Sequence, residues 1–497
     1  MQNEDVSGAK AGNIGTFAFF ADLANIDPRS NYDYEVGVLA NIFETLTFYD
    51  PQANGDLVVP KLAVSWESNE NFTEWIFHLR GGVKFHDGTE FNAEAVKSSI
   101  EAVMYSDYPT SFLYLPVLEL EVVDELTVKF VLEYGAALDL ILSSAFGAWM
   151  VSPNDIQKEA EWFNSGNGAG TGPYKYNSFE PNQRLVMKKF DEYWGGWEDS
   201  QFATVVYEIV EDSTVREQMI RSGDADVTWA LAYDSYATLE GSGAKVNVDP
   251  AFQNLIIEMN TFKPPLDNPV VRQALAYSFP YDKIVDNLYG GYATQSIGYI
   301  PAGMWGHDSS LHQYSYDLEK ARELLAEAGY PDGGFELTEI VESSASEDIL
   351  MAELWQAELA QLGITLNIRT MGFEAWLESC FCGAEAAEYD LWNSLWFPAY
   401  VTPFDFMYNT FVSESIYDCS FYFNEDFEIA VFDGDALSTD IEAASEQFSL
   451  AQEILLEDSP AIFVLDLPQV MAVRDDIKGF STNPGYGGVV FWYNLRR

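Results

Sequence analysis

Between Glu74 and Arg80 the apolar side chains fall on alternate positions. Trp75, Phe77 and Leu79 share one side and Glu74, His78 and Arg80 the other, with Ile76 the exception. A period of two marks a strand half-buried in a sheet. Gly81-Gly82 follows and predicts a hairpin turn into Val83-Lys84-Phe85. Asn92 predicts the cap of a helix whose Val96, Ile100, Val103 and Met104 lie on one face. A second meander reads as Leu118, Leu120 and Val122, a turn at Asp124-Glu125, then Leu126, Val128, Phe130 and Leu132.

The later half is more regular. Asn268-Pro269 predicts an N-cap with proline at the first helical position. Asp317 caps a helix that turns Leu318, Ala321, Leu325 and Ala328 inward, and Gly329 and Pro331 close it. A strand over 336–341, a helix over 347–362, Gly363 and a strand over 364–370 predict a β-α-β unit with parallel strands. Strands and helices alternate throughout, which predicts an α/β fold.

Composition narrows the class. The 497 residues hold 48% hydrophobic and 21% charged side chains, those of an ordinary globular chain of two to four domains. The 79 acidic residues against 25 lysines and arginines give a net charge of −54. That field repels phosphate backbones and anionic lipid, so nucleic-acid and peripheral membrane binding are disfavoured. Its origin has two readings, adaptation to high salt or the habit of an acidic extracellular proteome. No apolar run reaches the roughly 18 residues of a membrane span; Leu138 to Val151 is broken by Asp139, Ser143, Ser144 and Gly147. The polar start, Met1 to Asp5, lacks a secretory signal pattern.

The chemistry-bearing residues are few. His86-Asp87-Gly88 reads as a turn, and His307 and His312, five apart in a loop, are not spaced as zinc ligands on a helix. Cys380-x-Cys382 has no second pair at zinc spacing; one disulfide from either of these to Cys419 is open, as are free thiols. No nucleophile elbow or phosphate-cradling loop occurs.

Several motifs, taken in order, resemble family 5 extracellular solute-binding proteins, the oligopeptide, dipeptide and nickel receptors of ATP-binding-cassette (ABC) importers. They are Pro60-Lys61-Leu62-Ala63, Gly81-Gly82-Val83-Lys84-Phe85-His86-Asp87-Gly88, Gly170-Thr171-Gly172-Pro173-Tyr174, Tyr193-Trp194-Gly195-Gly196, Gly223-Asp224-Ala225-Asp226-Val227 and Val271-Arg272-Gln273-Ala274-Leu275-Ala276. The resemblance implies a type II, two-lobed α/β periplasmic-binding-protein fold with an α+β domain inserted in lobe one. Lobe one would comprise 1–46, 170–262 and 470–497, the insert 47–169 and lobe two 263–469. Asn260 to Pro265 would form a hinge. Asp433-Gly434-Asp435, which lacks the further ligands of a calcium loop, would sit at a helix start.

The resemblance also implies a ligand cleft. Its floor would hold Phe20 and Asp22, Trp229 would follow a strand end of lobe one, and lobe two would add Phe373, Trp392, Asn393, Trp396, Phe397 and Tyr400. Ala399 stands where peptide-binding members carry an Asp for the peptide ammonium, and Cys380 and Asn393 where some carry basic residues for the carboxylate. Loss of charged anchors points to an uncharged cargo such as an oligosaccharide, with an oligopeptide held by other anchors as the alternative. The expectation is therefore a monomeric extracytoplasmic receptor, lipid-anchored through a cysteine upstream of Gln2, tethered by Asp5 to Asn13 and docking on permease subunits. It would use no cofactor or metal and catalyse no reaction. A secreted hydrolase using two of the many carboxylates is the competing class, and a peptide sensor or chaperone the third.

Overall fold

The computed structural model describes residues 13–52, 57–380, 389–413, 415 and 417–497. The side chains of 373, 374, 377 and 380 also lie outside the description, so the readings of Phe373, Cys380, Cys382 and the tether before Asn13 fall outside the described residues. The chain divides into two compact units, Met1–Asp249 with Gln469–Arg497, and Pro250–Pro468.

The first unit includes β1 (Ile14–Phe19), β2 (Ala63–Ser68), β3 (Glu74–Leu79), β4 (Val117–Asp124), β5 (Thr127–Leu132), β6 (Tyr174–Glu180), β7 (Arg184–Lys189), β8 (Thr204–Ile209) and β9 (Val227–Trp229), besides the short antiparallel pair Thr47–Tyr49 and Val58–Pro60. β10 (Ala244–Met259) carries the chain into the second unit, which adds β11 (Glu336–Glu342), β12 (Thr365–Met371) and β13 (Leu391–Trp396). β14 (Ala461–Arg474) carries it back. Both passages thus occur inside strands, and Asn260 to Pro265 lies wholly within the second unit.

The main sheet of the first unit has β1 between β8 and β9, all three parallel, extended by antiparallel β7 and β6 on one side and β14 on the other. A separate antiparallel sheet runs β2-β3-β5-β4. The alternation from Glu74 to Leu79 is a strand as expected, burying Trp75, Phe77 and Leu79. Its neighbours differ from the expected hairpin: β3 pairs with β2 and β5, not with Val83 to Phe85. The apolar face of β3 completes a four-stranded layer, whereas after Gly82 the chain makes an isolated bridge, Lys84 to Glu90. The second meander is as read, β4 and β5 joined at Asp124 to Thr127.

In the second unit parallel β11 and β12 flank the helix Ser346–Ala360, and β13 pairs with β11 in parallel and β10 antiparallel. Trp355 anchors that helix: its ring is fully buried against Phe279 and its indole donates to Ser278 Oγ at 2.9 Å. Burying a side chain of this kind contributes roughly 1.5–3 kcal/mol. The predicted caps form as local chemistry dictates: Asn92, Asn268 and Asp317 accept from Ala95, Val270 and Lys320 N–H groups at 2.9–3.0 Å. Asp433-Gly434-Asp435 is a correction. It lies near the end of the helix Glu425–Ala436, not at a helix start, and Gly434 lets that helix approach Phe448, whose ring an added Cβ would meet at 2.7 Å.

Candidate ligand-binding site

In the first unit β1, β8 and β9 run parallel, so their carboxyl ends gather on one edge, where open α/β sheets bind ligands. Phe20 follows β1 and Trp229 ends β9. With Tyr34 they form an edge-to-face trio with centroids 5.2–5.3 Å apart, and all three rings are half-buried. No local pattern in the sequence ties Tyr34 to the other two.

Arg216 holds this edge. It projects from the helix Ser213–Ser222, which Asp212 caps, and donates to the carbonyls of Val210, Glu211, Trp229 and Ala230. One buried guanidinium thus ties the ends of β8 and β9 together. Asp22 plays a framework part at least: its carboxylate accepts the Asn182 N–H at 2.9 Å.

Gly488 lies beneath the Trp229 ring with φ +74°, so a side chain there would be strained and would run into the indole. Gly488→Ala is expected to displace Trp229 and lose roughly 1–3 kcal/mol of stability. Chemical denaturation and a crystal structure of the variant check this.

In the second unit, side chains alternate along β13. Trp392 packs with Ile340 and Cys419 in a core cluster, fully buried, and its indole donates to Ser379 Oγ at 2.9 Å. Asn393 points to the opposite face. Adjacent strand residues cannot serve one face, so the structure assigns Trp392 to packing and separates it from Asn393. Phe397 is half-buried and Tyr400 nearly buried.

Trp396 meets Tyr417 edge-on at 5.6 Å and donates its indole N–H to Asp405 Oδ2 at 3.2 Å. The same oxygen accepts the Ala399 N–H at 3.3 Å, while Asn409 Nδ2 donates to Oδ1 at 3.2 Å. Asp405 is fully buried, and burial pushes its carboxyl up to about 8. A carboxyl therefore does stand beside Ala399, supplied by the helix Pro403–Phe411 six positions on.

The motif residues converge on something other than a cargo. Glu44, nearly fully buried, accepts from Thr171 Oγ1 (2.9 Å), Tyr193 OH (2.8 Å) and Trp194 Nε1 (2.9 Å), and pairs with Lys61 Nζ at 3.1 Å. His86 is equally structural. Its backbone N–H donates to Gly170 O and its Nε2–H to Gly172 O, each at 2.9 Å, and burial lowers its pKa to about 4, so the ring is neutral. Asp87 accepts from the Thr89 N–H, Ser152 Oγ and Asn154 Nδ2, completing the expected turn. His307 bonds the Ile300 carbonyl and His312 lies against Tyr277 and Tyr314. Among the described residues no group of three His, Cys, Asp or Glu side chains could hold a metal ion. Cys419 is disulfide-bonded.

The model of bacterial extracellular solute-binding proteins, family 5, matches residues 58–418. The chain belongs to this family. Its relatives include a probable D,D-dipeptide-binding periplasmic protein of Escherichia coli, 28% identical over 478 residues, covering 93% of this chain and 90% of that protein. A glutathione-binding protein of Shigella boydii is 28% identical over 448 residues, covering 86% and 84%. Among solved structures, an ABC transporter-associated periplasmic binding protein of Helicobacter pylori in complex with the peptide STSA superimposes with a TM-score of 0.82. It is 24% identical and covers 97% of this chain and 98% of that one. The fold is thus the two-lobed type II binding-protein fold, as expected. Family 5 proteins are the extracytoplasmic solute receptors of ABC importers; they bind their cargo and do not transform it. No helix among the described residues is long and apolar enough to cross a membrane.

Proposed function

We propose that this family 5 receptor captures a short peptide. The observation that carries the reading is the half-buried Phe20–Tyr34–Trp229 trio at the carboxyl ends of parallel strands, an apolar platform with neighbouring backbone for a chain-like cargo. The relatives' cargoes, a D,D-dipeptide and glutathione, favour peptide over sugar. Ala399 had argued for an uncharged oligomer. Asp405, fully buried with its oxygens engaged by Trp396, Ala399 and Asn409, does not supply that anchor, so the peptide reading rests on the relatives and on the aromatic platform. Phe20, Trp229, Trp396, Phe397 and Tyr400 are the side chains proposed to contact cargo. The division into lobe one, the 47–169 insert and lobe two belongs to the same proposal, the separate β2-β3-β5-β4 sheet being the body of the insert.

Native mass spectrometry of the purified protein, followed by thermal shifts with di- to pentapeptides and with oligosaccharides, tests it. Peptide-dependent stabilisation without product is expected; stabilisation by sugars alone overturns the cargo class. Trp229→Ala is expected to weaken the stabilising peptide by roughly ten- to a hundred-fold, since truncated aromatic anchors commonly cost 2 kcal/mol or more. Calorimetry reads this directly.

A further inference from the structure

Among the described residues, several buried carboxylates are well supplied with donors. Glu44 has four partners. Asp405 has three. Glu258 accepts from Ser394 Oγ and from the Cys419 N–H. Glu339, on β11, is wholly inaccessible to solvent, and neither of its carboxyl oxygens has a hydrogen-bond partner among the described residues. Leaving one such group unsatisfied costs several kcal/mol, and native proteins rarely do so without a bound water, ion or ligand to explain it.

The sheet register supplies a second orphan. Glu339 lies opposite Leu391 on parallel β13, and Asn393 is two residues further along β13. With a side-chain period of two, Glu339, Leu391 and Asn393 share a face, while Ile340 and Trp392 enter the core on the other. Asn393 is 5% exposed, and both its amide oxygen and its amide nitrogen lack partners among the described residues. Four polar atoms on one sheet face are therefore unsatisfied together. Burial first, and then the neighbouring acid Asp348, holds the Glu339 carboxyl above its ordinary range, and a cation brought beside it would oppose both.

We propose that Glu339 and Asn393 form a subsite for a cationic group of the cargo, an ammonium or guanidinium whose N–H donors pair with the carboxylate and the amide oxygen. This deepens the peptide reading and rests on it for the identity of the rest of the cargo. It differs from an anchor at Asp405, whose oxygens are already engaged by Trp396, Ala399 and Asn409. A free ammonium has three donors and a guanidinium five. One water could donate only two, too few for the two carboxyl oxygens and the amide oxygen together.

The test is calorimetry of the full chain with trilysine, trialanine, triglutamate and spermidine, in enough salt to screen attraction to the acidic surface. Wild type is compared with Glu339→Gln, which keeps the shape and removes the charge, and with Asn393→Ala. Trilysine or spermidine is expected to bind one-to-one, at least ten-fold more weakly to Glu339→Gln, with trialanine unaffected by that change. Unchanged affinity of both cations for Glu339→Gln, or no binding of either to wild type, overturns the subsite. So does a crystal structure with a bound cation elsewhere and only water on Glu339. If spermidine binds in a Glu339-dependent way and no tripeptide binds, the peptide reading fails and the subsite stands. If trialanine binds and the cations show no dependence on Glu339, the reverse holds.

Discussion

Glu44→Ala is expected to destabilise the first unit by roughly 3–5 kcal/mol, the range for removing one member of a buried, charge-assisted network. The substitution strips partners from Thr171, Tyr193, Trp194 and the Lys61 ammonium at once. Lys61 also lies over the Phe48 and Trp194 rings, at 5.8 and 5.7 Å to their centroids, so its position rests on the same cluster. At about 2–4 °C per kcal/mol for a body of this size, Tm should fall by roughly 6–20 °C. Glu44→Gln keeps the shape and should recover part of the loss, because its amide can still accept from some donors. Differential scanning calorimetry checks both; a change below about 1 °C for the alanine variant would contradict the assignment of Glu44 as the point where the motifs join. Conserving cargo binding in whatever fraction stays folded would show that these motifs build the frame and not the cargo site.

Stability is also expected to rise as pH falls from 8 towards 5. Six carboxyls of the second unit are held well above their ordinary range by burial: Glu258, Glu339 and Asp405 at about 8, and Asp348, Asp418 and Asp435 at about 7. Like charges add to this for Glu258, Glu339, Asp348. Between the unfolded values near 4 and these folded values, the native state keeps protons that the unfolded chain has released. Stability then declines with rising pH. Each such carboxyl changes the balance by about 1.4 kcal/mol per pH unit across its window. A drop in Tm of roughly ten degrees or more between pH 5 and pH 8 is expected. Below about pH 4 the trend should reverse, because Asp87, Asp308 and Glu358 are held low by hydrogen bonds that protonation would break. A melting series across pH 3–9 reads the curve. A Tm flat from pH 5 to 8 would show that these carboxyls ionise freely in the native state.

How far the sequence reached depended on distance along the chain. Helix caps at Asn92, Asn268 and Asp317, the β-α-β unit and the alternation of β3 and β5 were legible because each signal sits within one or two turns of its effect. The motifs were legible as a family resemblance, but their purpose was not. Thr171, Tyr193 and Trp194 reach Glu44 across 127 to 150 residues, a separation at which no periodicity carries information. The hairpin after β3 failed for the same reason: Gly81-Gly82 permits a turn, and the competition between Val83–Phe85 and the distant β5 for the strand edge was settled by packing.

The candidate site shows the division most plainly. Sequence alone determined which segments are strands and where the aromatic side chains stand along them, and the resemblance to family 5 receptors implied that some of these rings face a cleft, because pattern and motif order are both written along the chain. Only the tertiary structure decided that Tyr34 joins Phe20 and Trp229, that Trp392 turns into the core while Asn393 turns away, and that Asp405 comes beside Ala399. The physical reason is that a side chain's chemistry is local, whereas its partners are chosen by which strands lie next to one another and by the face that a two-residue period assigns to each position.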